Sequence, residues 1–271
     1  LPTDFSENAR NAMEYAFTMF GAQDVEYIIL NVYAEPYSST DLLVSVDQIL
    51  EQDSERGLEE DHTYIKSIFP KEKFQIQLWS KYGGLLYEIN RICEDEKIDY
   101  VVMGTKGASG LKKVLIGSNT SDVIKTIKTP VLSIPENIKY ITLSQIALTT
   151  DYDSLNDKHA LDPLIWLAKE KHSLIKIVNV RAFGKVVGYE EAEEGFELHG
   201  VLADVPHEHL VKNHENVIEG VSQFIHEENV DMIAMLARKH NFFDRLLNKS
   251  VTKEMAMIVD VPLLVLHETS E

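Results

Sequence analysis

Short apolar runs rich in Val and Ile alternate with longer amphipathic stretches along the first half of the chain. The apolar runs predict strands: YIILNVY, KFQIQLWS, YVVMG and PVLSI. The stretches between them have helical periodicity: SENARNAMEYAFTMF, which Ser6 caps, DLLVSVDQILEQDSERGLEEDHTYIKSIF, GGLLYEINRICEDEK and SNTSDVIKTIK. Strands that are apolar throughout are typical of a parallel sheet covered on both faces. Their alternation with helices predicts right-handed βαβ units in a doubly wound α/β sheet.

The same plan occurs twice, in the same order. LPTDFSENARNAMEYAF matches ALTTDYDSLNDKHALDPLIWLA, VEYIILNVY matches SLIKIVNV, EKIDYVVMG matches ENVDMIAML, and IKTPVLSIPE matches VDVPLLVLHE. The separation is about 132 to 148 residues, so we infer a duplicated domain. In the second half, FELHGVLADV predicts a shorter second helix and EHLVKN a third strand. The boundary is expected between Pro135 and Tyr140, which divides the chain into domains 1–138 and 139–271.

Composition narrows the class of protein. Residues 1–138 carry 22 acidic and 13 basic side chains, a net −9 that is half of the chain's −18. This charge argues against nucleic acid or an anionic membrane as a partner, since both attract clustered Lys and Arg. The single cysteine, Cys93, excludes an intrachain disulfide and is expected to be a small buried residue on one helical face with Ile89 and Ile92.

The location and the start of the chain also allow expectations. No run is long and apolar enough for a membrane span, and no signal peptide is found, so we expect a cytoplasmic protein. The chain begins without Met, at the predicted end of a strand. Upstream residues are therefore expected to be missing from this numbering.

The stretch VVMGTKGASGLKKVLIGSNT, residues 101–120, has a glycine at the end of a predicted strand and another before a predicted helix. Gly104 follows the strand directly, where a missing Cβ predicts a positive φ and a close approach of the backbone to a ligand. Gly117 precedes the helix, whose first-turn amides and dipole favour an anion. Residues 104–128 carry five lysines and one aspartate in an acidic domain, which favours the same ligand class. Each feature also has a purely structural explanation: turns at the glycines, a helix cap at Ser118 and solvated lysines.

The glycine spacing is more specific than its parts. The chain has neither G-x-x-x-x-G-K-[ST] nor G-x-G-x-x-G, which disfavours a phosphate-loop ATPase and a nicotinamide dehydrogenase. Instead, Gly104, Gly107, Gly117 and Ser118 have the spacing G-x2-G-x9-G-[ST], with PTDFSENA at the start of the domain and TPVLSIP at its end. In these features the chain resembles the ATP-binding universal stress proteins, as a tandem, two-domain member.

The resemblance implies two tandem doubly wound parallel five-stranded sheets of the Rossmann-like, adenine nucleotide alpha hydrolase-like class. It implies ATP as the ligand at the carboxyl edge of the first sheet, with Mg²⁺, and AMP as the alternative nucleotide. Asp4 would lie near the ribose or a phosphate-bound Mg²⁺, Val32 would contact adenine, and Met103 would line the base and ribose with Gly104. The implied ATP-binding set is Pro2, Thr3, Asp4, Val32, Met103, Gly104, Gly107, Gly117, Ser118, Asn119 and Thr120, of which the last five would surround the phosphates. For Asp4 alone, a helix cap is the structural alternative, although Ser6 already serves that purpose.

The second half departs from the pattern. When Pro262 is aligned with Pro130, the positions of the three glycines are occupied by Leu236, Lys239 and Lys249. Side chains there block the approach of backbone to phosphate, so we predict that the second domain does not bind ATP in this way. The residues that persist are Ser250, Thr252 and, at the start of the half, Asp151.

Other constellations are weaker. VPHEHLVKNH places His207 and His209 on one face of a predicted strand, with His214 nearby, a conceivable set of metal ligands. Exposed histidines without a metal are the commoner explanation, and no metal ligand is assigned. ARKHNFFDRLLNKS combines basic and aromatic residues, but nucleic-acid binding needs a wider basic field, so a packing or docking loop is expected. No Ser, His and Asp set with a usable order is found, so no catalytic residue is named.

Two functions are in competition. In the first, ATP binds the first domain, orders its glycine loop and changes the contacts of a stress-response protein that hydrolyses ATP slowly or not at all. In the second, the two domains form a nucleotide-independent scaffold, paired through the strands PVLSI and PLLVL, and the glycines only form turns. The resemblance implies pairing of the domains within the chain and a homodimer. A true kinase or ATPase is a third class, which would require turnover well above background.

Overall fold

The computed structural model describes residues 1–34, 43–105, 117–150, 155, 157–181, 189–237 and 261–268. These residues divide into two compact units. The first holds the described residues up to 127 together with 133–140, and the second holds 128–132 and the described residues from 141 onward.

The first unit alternates helices and strands as the sequence predicts. Its elements are α1 (Glu7–Phe20), β1 (Glu26–Tyr33), α2 (Leu43–Ile68), β2 (Gln75–Tyr82), α3 (Leu85–Asp95), β3 (Val101–Gly104) and α4 (Ser118–Thr126). The next strand, β4 (Val131–Ile134), has its first two residues in the second unit and its last two in the first. Strands β1 and β2 pair in parallel over their full length. Ahead of α1, Pro2 forms a parallel bridge with Leu30 of β1. The expected burial of Cys93 is confirmed, and it shares the buried face of α3 with Ile89 and Ile92.

Aromatic side chains dominate one core cluster of the first unit. Phe17 of α1 stacks on Tyr27 of β1 with 4.1 Å between ring centroids, and Phe74 meets Phe17 edge-on at 4.7 Å. Ile29 of β1 and Leu58 of α2 are buried in the same cluster. Such ring pairs stabilise a core beyond the area they bury, so this cluster holds α1, β1 and α2 together.

The second unit contains a complete five-stranded parallel sheet. Its elements are β5 (Gln145–Thr149), a short 3-10 helix (Lys158–Leu161), α5 (Asp162–Lys171), β6 (Leu174–Arg181), α6 (Tyr189–Val201), β7 (His207–Asn213), α7 (Val217–Glu227), β8 (Met232–Ala237) and β9 (Leu263–His267). The spatial order is β9-β8-β5-β6-β7, with every pair parallel. The chain therefore leaves β5 first to one side and then to the other, which is the doubly wound plan that the sequence predicts.

The second helix of the second unit differs from the prediction. The second helix of the second unit begins at Tyr189 rather than Phe196, because its acidic first turn favours a helix N-terminus although it has no apolar periodicity. Strand β5 begins at Gln145, and Ile141, four residues earlier, is 84% exposed.

The duplication extends to a particular hydrogen bond. In the first unit, the Asn31 side-chain amide donates to the Thr3 carbonyl at 2.8 Å. In the second unit, Asn179 donates to the Thr150 carbonyl at 2.9 Å. Each asparagine therefore ties its own strand to the segment just before the first helix of the same unit. No helix within the described ranges combines the length and apolarity needed to cross a bilayer.

Candidate functional site

The segment that precedes α1 is fixed beside β1 and leaves one carboxylate exposed. Pro2 bridges Leu30, and the Thr3 amide donates to the Leu30 carbonyl at 2.8 Å. Asp4 is exposed, and its carboxylate accepts from the Ser6 amide at 3.2 Å. The structure therefore places Pro2, Thr3 and Asp4 near the carboxyl end of β1.

The cap predicted for α1 is confirmed. The Ser6 hydroxyl accepts from the Ala9 amide at 3.2 Å, which satisfies one first-turn donor. Glu7 adds a negative charge to the same turn. Because a side chain and a carboxylate already serve the amino end of α1, this end is a poor site for an added anion.

Phe5 holds the turn between Asp4 and α1 in an unusual conformation. Its φ is 64°, in the left-handed region that most side chains avoid. The Thr3 hydroxyl accepts the Phe5 amide at 3.0 Å. The Phe5 ring lies against Gly57 of α2, where an added Cβ would come within 2.5 Å of a ring carbon. A glycine within α2 thus provides the space that this turn needs.

A buried carboxylate on α2 is hydrogen-bonded to the segment that precedes α1. Asp61 is fully buried and accepts from the Thr3 hydroxyl at 2.8 Å and from the Arg10 guanidinium at 2.7 Å. The hydrogen bond to Asp61 raises the pKa of Arg10 above its already high usual value, so Arg10 remains charged. Asp61 therefore connects the segment before α1, α1 itself and α2 through charge-assisted hydrogen bonds.

Val32 lies near the end of β1, next to a pair of tyrosines. It is half-buried at the carboxyl end of β1 and in register with Lys81 of β2. The next pair in register, Tyr33 and Tyr82, has ring centroids 5.7 Å apart. These strand ends therefore offer apolar and aromatic surface beside the Asp4 segment.

The end of β3 packs against the first turn of α1. Met103 is 7% exposed, and a Cβ on Gly104 would lie 2.4 Å from the Asn8 side-chain nitrogen. The positive φ expected at Gly104 is wrong, because its φ lies outside the left-handed region. Glycine is needed here for close packing on Asn8, and a ligand is not required to explain it.

Helix α4 begins without a side-chain cap. Gly117 is the N-cap residue, with φ −58° and ψ 156°, and Ser118 is the first helical residue, so Ser118 is not the cap. The Gly117 amide donates to the Thr105 carbonyl just beyond β3. No acidic residue lies in the first turn, and Ser118 and Asn119 are exposed. This helix end therefore has neither a side-chain cap nor a first-turn carboxylate, which leaves it suited to an anion.

Thr120 has a structural contact as well. It is 3% exposed, and its hydroxyl donates to the Gly104 carbonyl at 2.8 Å. Its side chain therefore ties the first turn of α4 to the end of β3. The Thr120 hydroxyl is therefore already paired within the protein.

Together these contacts bring three chain segments to one end of the first unit. The contact of Gly104 with Asn8 joins β3 to α1, and Thr120 joins β3 to α4. Gly107, the middle glycine of the motif, lies outside the described residues. The same holds for the lysines at 106, 112 and 113, whereas Lys125 and Lys128 are exposed.

The equivalent region of the second unit is described only in part. Leu236 lies near the end of β8, half-buried and in register with Leu266 of β9. The remaining positions compared in the sequence lie outside the described residues: Asp151, Lys239, Lys249, Ser250 and Thr252.

Sequence reasoning missed three residues that build the first site. Asn31 left a signal, since both halves end a strand in Asn-Val. Asn8 and Asp61 left none, because the contact of Asn8 with Gly104 and that of Asp61 with Thr3 join distant parts of the sequence.

Comparison with known proteins places this geometry in a family. The model of the universal stress protein family matches residues 1–135 and 143–267. A universal stress protein of Methanocaldococcus jannaschii is 31% identical over 147 residues, which cover 48% of this chain and 90% of that protein. The crystal structure of a universal stress protein from Archaeoglobus fulgidus covers 98% of this chain and 94% of its own, with a TM-score of 0.68 and 21% identity, a likeness of fold alone.

One more solved structure is a complex. A universal stress protein from Archaeoglobus fulgidus in complex with dAMP covers 46% of this chain and 99% of its own, with 12% identity and a TM-score of 0.36. A likeness this weak assigns no ligand to the present chain. Since the family model spans both halves, the chain belongs to the universal stress protein family.

Proposed function

We propose that the first unit binds an adenine nucleotide, ATP with Mg²⁺, and that binding changes the contacts of the protein without fast turnover. The observation that carries the proposal is the uncapped amino end of α4, which begins at the Gly117 of the motif with Ser118 and Asn119 exposed. Unpaired amides and the positive end of the helix dipole favour a phosphate. AMP is the alternative nucleotide.

In this proposal the roles of the motif residues follow the strand ends. Asp4, whose carboxylate is exposed, would hold the ribose or Mg²⁺, and Val32 would contact adenine. Gly104 and Met103 would line the base and ribose. Gly107, Gly117, Ser118, Asn119 and Thr120 would surround the phosphates, and the Gly117 amide itself is already held by the Thr105 carbonyl.

One observation favours the competing function. Because Gly104 is explained by its packing against Asn8, this glycine is also expected in a scaffold that binds no nucleotide. Such a protein would act through pairing of its domains and through a homodimer, both implied by the family resemblance. Sedimentation with and without nucleotide would measure the homodimer and any change in it.

Calorimetric titration with MgATP, ADP and AMP tests the nucleotide directly. We expect saturable binding of MgATP, and no heat at millimolar nucleotide would end the proposal. The sharper experiment uses Ser118→Asp, which adds a carboxylate to the first turn of α4. An acidic residue there stabilises the free helix by about 0.3–1 kcal/mol and repels a phosphate. We therefore expect unchanged or higher stability together with weaker MgATP binding.

A matched control has the same change in charge. Gln52→Glu introduces one negative charge at an exposed position of α2 and should leave MgATP binding unchanged. Equal binding by the wild type and Ser118→Asp would show that the phosphates do not lie at the amino end of α4, whereas the absence of binding by the wild type would favour the scaffold.

Turnover is the separate test of enzymatic function. We propose no general base, so phosphate release should stay close to the rate of MgATP alone. Release well above that rate would favour an ATPase. We also propose a cytoplasmic location, in keeping with a single buried cysteine.

A further inference from the structure

Three histidines of the second unit meet where α6 is followed by β7. His199 is in the last turn of α6, and His207 and His209 are the first and third residues of β7. One ring nitrogen from each lies within 4.8 Å of the others. Among the described residues, this is the one set of three or more His, Cys, Asp or Glu side chains whose potential ligand atoms come this close together.

The cluster differs from the set that the sequence suggested. His214 is not part of it, because its ring is held by Asn216 at 2.7 Å and lies 3.3 Å from the Gln223 amide. His199 takes its place, eight residues before His207. The turn that brings these two side chains together could not be read from the spacing.

Hydrogen bonding sets the tautomer of the central ring. His207 Nδ1 lies 2.9 Å from the Val205 carbonyl oxygen, which can only accept. In the neutral ring Nδ1 therefore carries the proton, and Nε2 keeps its lone pair. That Nε2 lies 2.6 Å from Nδ1 of His199. A backbone carbonyl that orients a ring in this way is the usual outer contact of a metal-binding histidine.

The strand geometry separates the cluster from nearby charge. His207 and His209 lie on one face of β7 because alternate residues share a face. Glu208 therefore lies on the other face, where its carboxylate is 3.8 Å from Lys176 Nζ. Lys176 Nζ is also 2.6 Å from Glu228. The Lys176 ammonium is thus paired with carboxylates, one of which lies on the opposite face of β7 from the histidines.

We propose that His199, His207 and His209 bind one divalent transition-metal ion of the Zn²⁺ type, with a fourth position open to water or an external ligand. Imidazole nitrogens suit Zn²⁺, Co²⁺, Ni²⁺ and Cu²⁺, whereas Mg²⁺ prefers oxygen ligands. A tetrahedral ion with bonds of 2.0–2.1 Å separates its ligand nitrogens by roughly 3.3 Å. The observed nitrogens lie within 4.8 Å of one another, so small rotations of the exposed His199 and His209 side chains about the half-buried His207 would reach that arrangement.

Titration of the full chain with Zn²⁺ and Co²⁺ tests the site. We expect one ion per chain, no competition from Mg²⁺, and a visible Co²⁺ absorption band of a four-coordinate nitrogen site. Ala substitution of His199, His207 or His209 should each weaken Zn²⁺ binding at least tenfold, since even loss of an outer contact costs 10–100-fold.

Two further variants separate the site from general histidine binding. His226→Ala removes an exposed histidine of α7. His214→Asn removes the histidine that the sequence suggested but that lies outside the observed cluster. Both variants should leave the affinity for Zn²⁺ unchanged. Urea unfolding in the presence of a chelator checks that each variant folds. The proposal is overturned if the wild type binds no ion, or if the control variants weaken binding as much as the cluster variants do.

Discussion

Asp61 is the residue on which the Asp4 segment depends most directly. Its side chain is fully buried and has no exposed surface through which water could replace a lost partner. It accepts hydrogen bonds from Thr3, 58 residues earlier, and from Arg10, 51 residues earlier. Loss of the carboxylate would therefore leave the buried Thr3 hydroxyl without its acceptor, which is costly, and would take from the partly exposed Arg10 the nearer of its two carboxylate partners.

Asp61→Ala should lower the free energy of unfolding by about 1–3 kcal/mol, because it leaves a buried donor without its acceptor. Asp53→Ala is the matched control on the same helix, since the Asp53 and Arg56 side chains are 50% and 68% exposed. That exposed pair should contribute about 0–1 kcal/mol. Urea unfolding measures both, and equal losses would show that Asp61 does not anchor the segment.

The histidine cluster predicts a pH dependence of stability in the metal-free protein. Partial burial lowers the pKa of His209 below its usual 6.5, and His207 and His199 lower it further. Below pH 6.5 the unfolded chain therefore binds a proton that the folded protein resists, and stability falls as the pH falls. Above that pH both states are neutral at this residue and the effect vanishes.

His209→Asn should remove this part of the acid sensitivity. Unfolding in urea at about pH 7.5 and about pH 5.5, with chelator present, compares the variant with the wild type. We expect the wild type to lose more stability between the two pH values. An equal loss in both proteins would contradict the assignment to His209.

At the scale of single residues, the sequence predicts contacts within a helical turn and misses those that join distant segments. The Ser6 cap is confirmed because it depends on residues three apart. The contact of Asp61 with Thr3 crosses two elements and leaves no periodic signal. His199 was missed for the same reason, since its partner lies beyond a turn.

At the scale of elements, α2 contains a glycine that an isolated helix would not favour. Replacement of Gly by Ala within a helix usually stabilises it by about 1 kcal/mol. At Gly57 the new Cβ would lie 2.5 Å from the Phe5 ring. The ring cannot keep its position, and the left-handed turn at Phe5 would have to change with it.

Gly57→Ala should therefore destabilise the protein, by about 1–3 kcal/mol. Gly200→Ala in α6 is the matched control, because a Cβ there meets nothing within 4 Å. The control should be neutral or stabilising by up to about 1 kcal/mol. Thermal and urea unfolding compare the two variants, and a stabilising Gly57→Ala would show that the ring yields without cost.

Most elements could be predicted because their apolar pattern is strong. Strands such as β4 and β6 are buried along most of their length, so Val and Ile mark them. The first part of α6 was missed because YEEAEEG has acidic residues without an apolar face. A helix N-terminus is favoured there by charge, which hydrophobic periodicity does not register.

At the scale of the whole molecule, the two halves should differ in nucleotide binding. Leu236 replaces Gly104 near the end of β8, and lysines replace the other two motif glycines. We therefore expect one nucleotide per chain. Equilibrium dialysis or native mass spectrometry with MgATP measures the ratio, and a ratio of two would show that the second half binds as well.

The duplication and the doubly wound plan were predictable because matched segments recur in one order. The order β9-β8-β5-β6-β7 confirms the plan in the second unit. The candidate site was predictable only as a set of positions. The structural roles of these residues could not be predicted: Gly104 packs closely on Asn8, and the Thr120 hydroxyl donates to the Gly104 carbonyl of β3.

The paired asparagine contacts, Asn31 with Thr3 and Asn179 with Thr150, have a consequence for engineering. This hydrogen bond near the strand end is present in both halves, whereas the glycine motif is present in one. Transplanting the glycine motif into the second half would thus start from a domain that already has this hydrogen bond. The first half provides the motif, and the second half provides the fold in which a second pocket could be built.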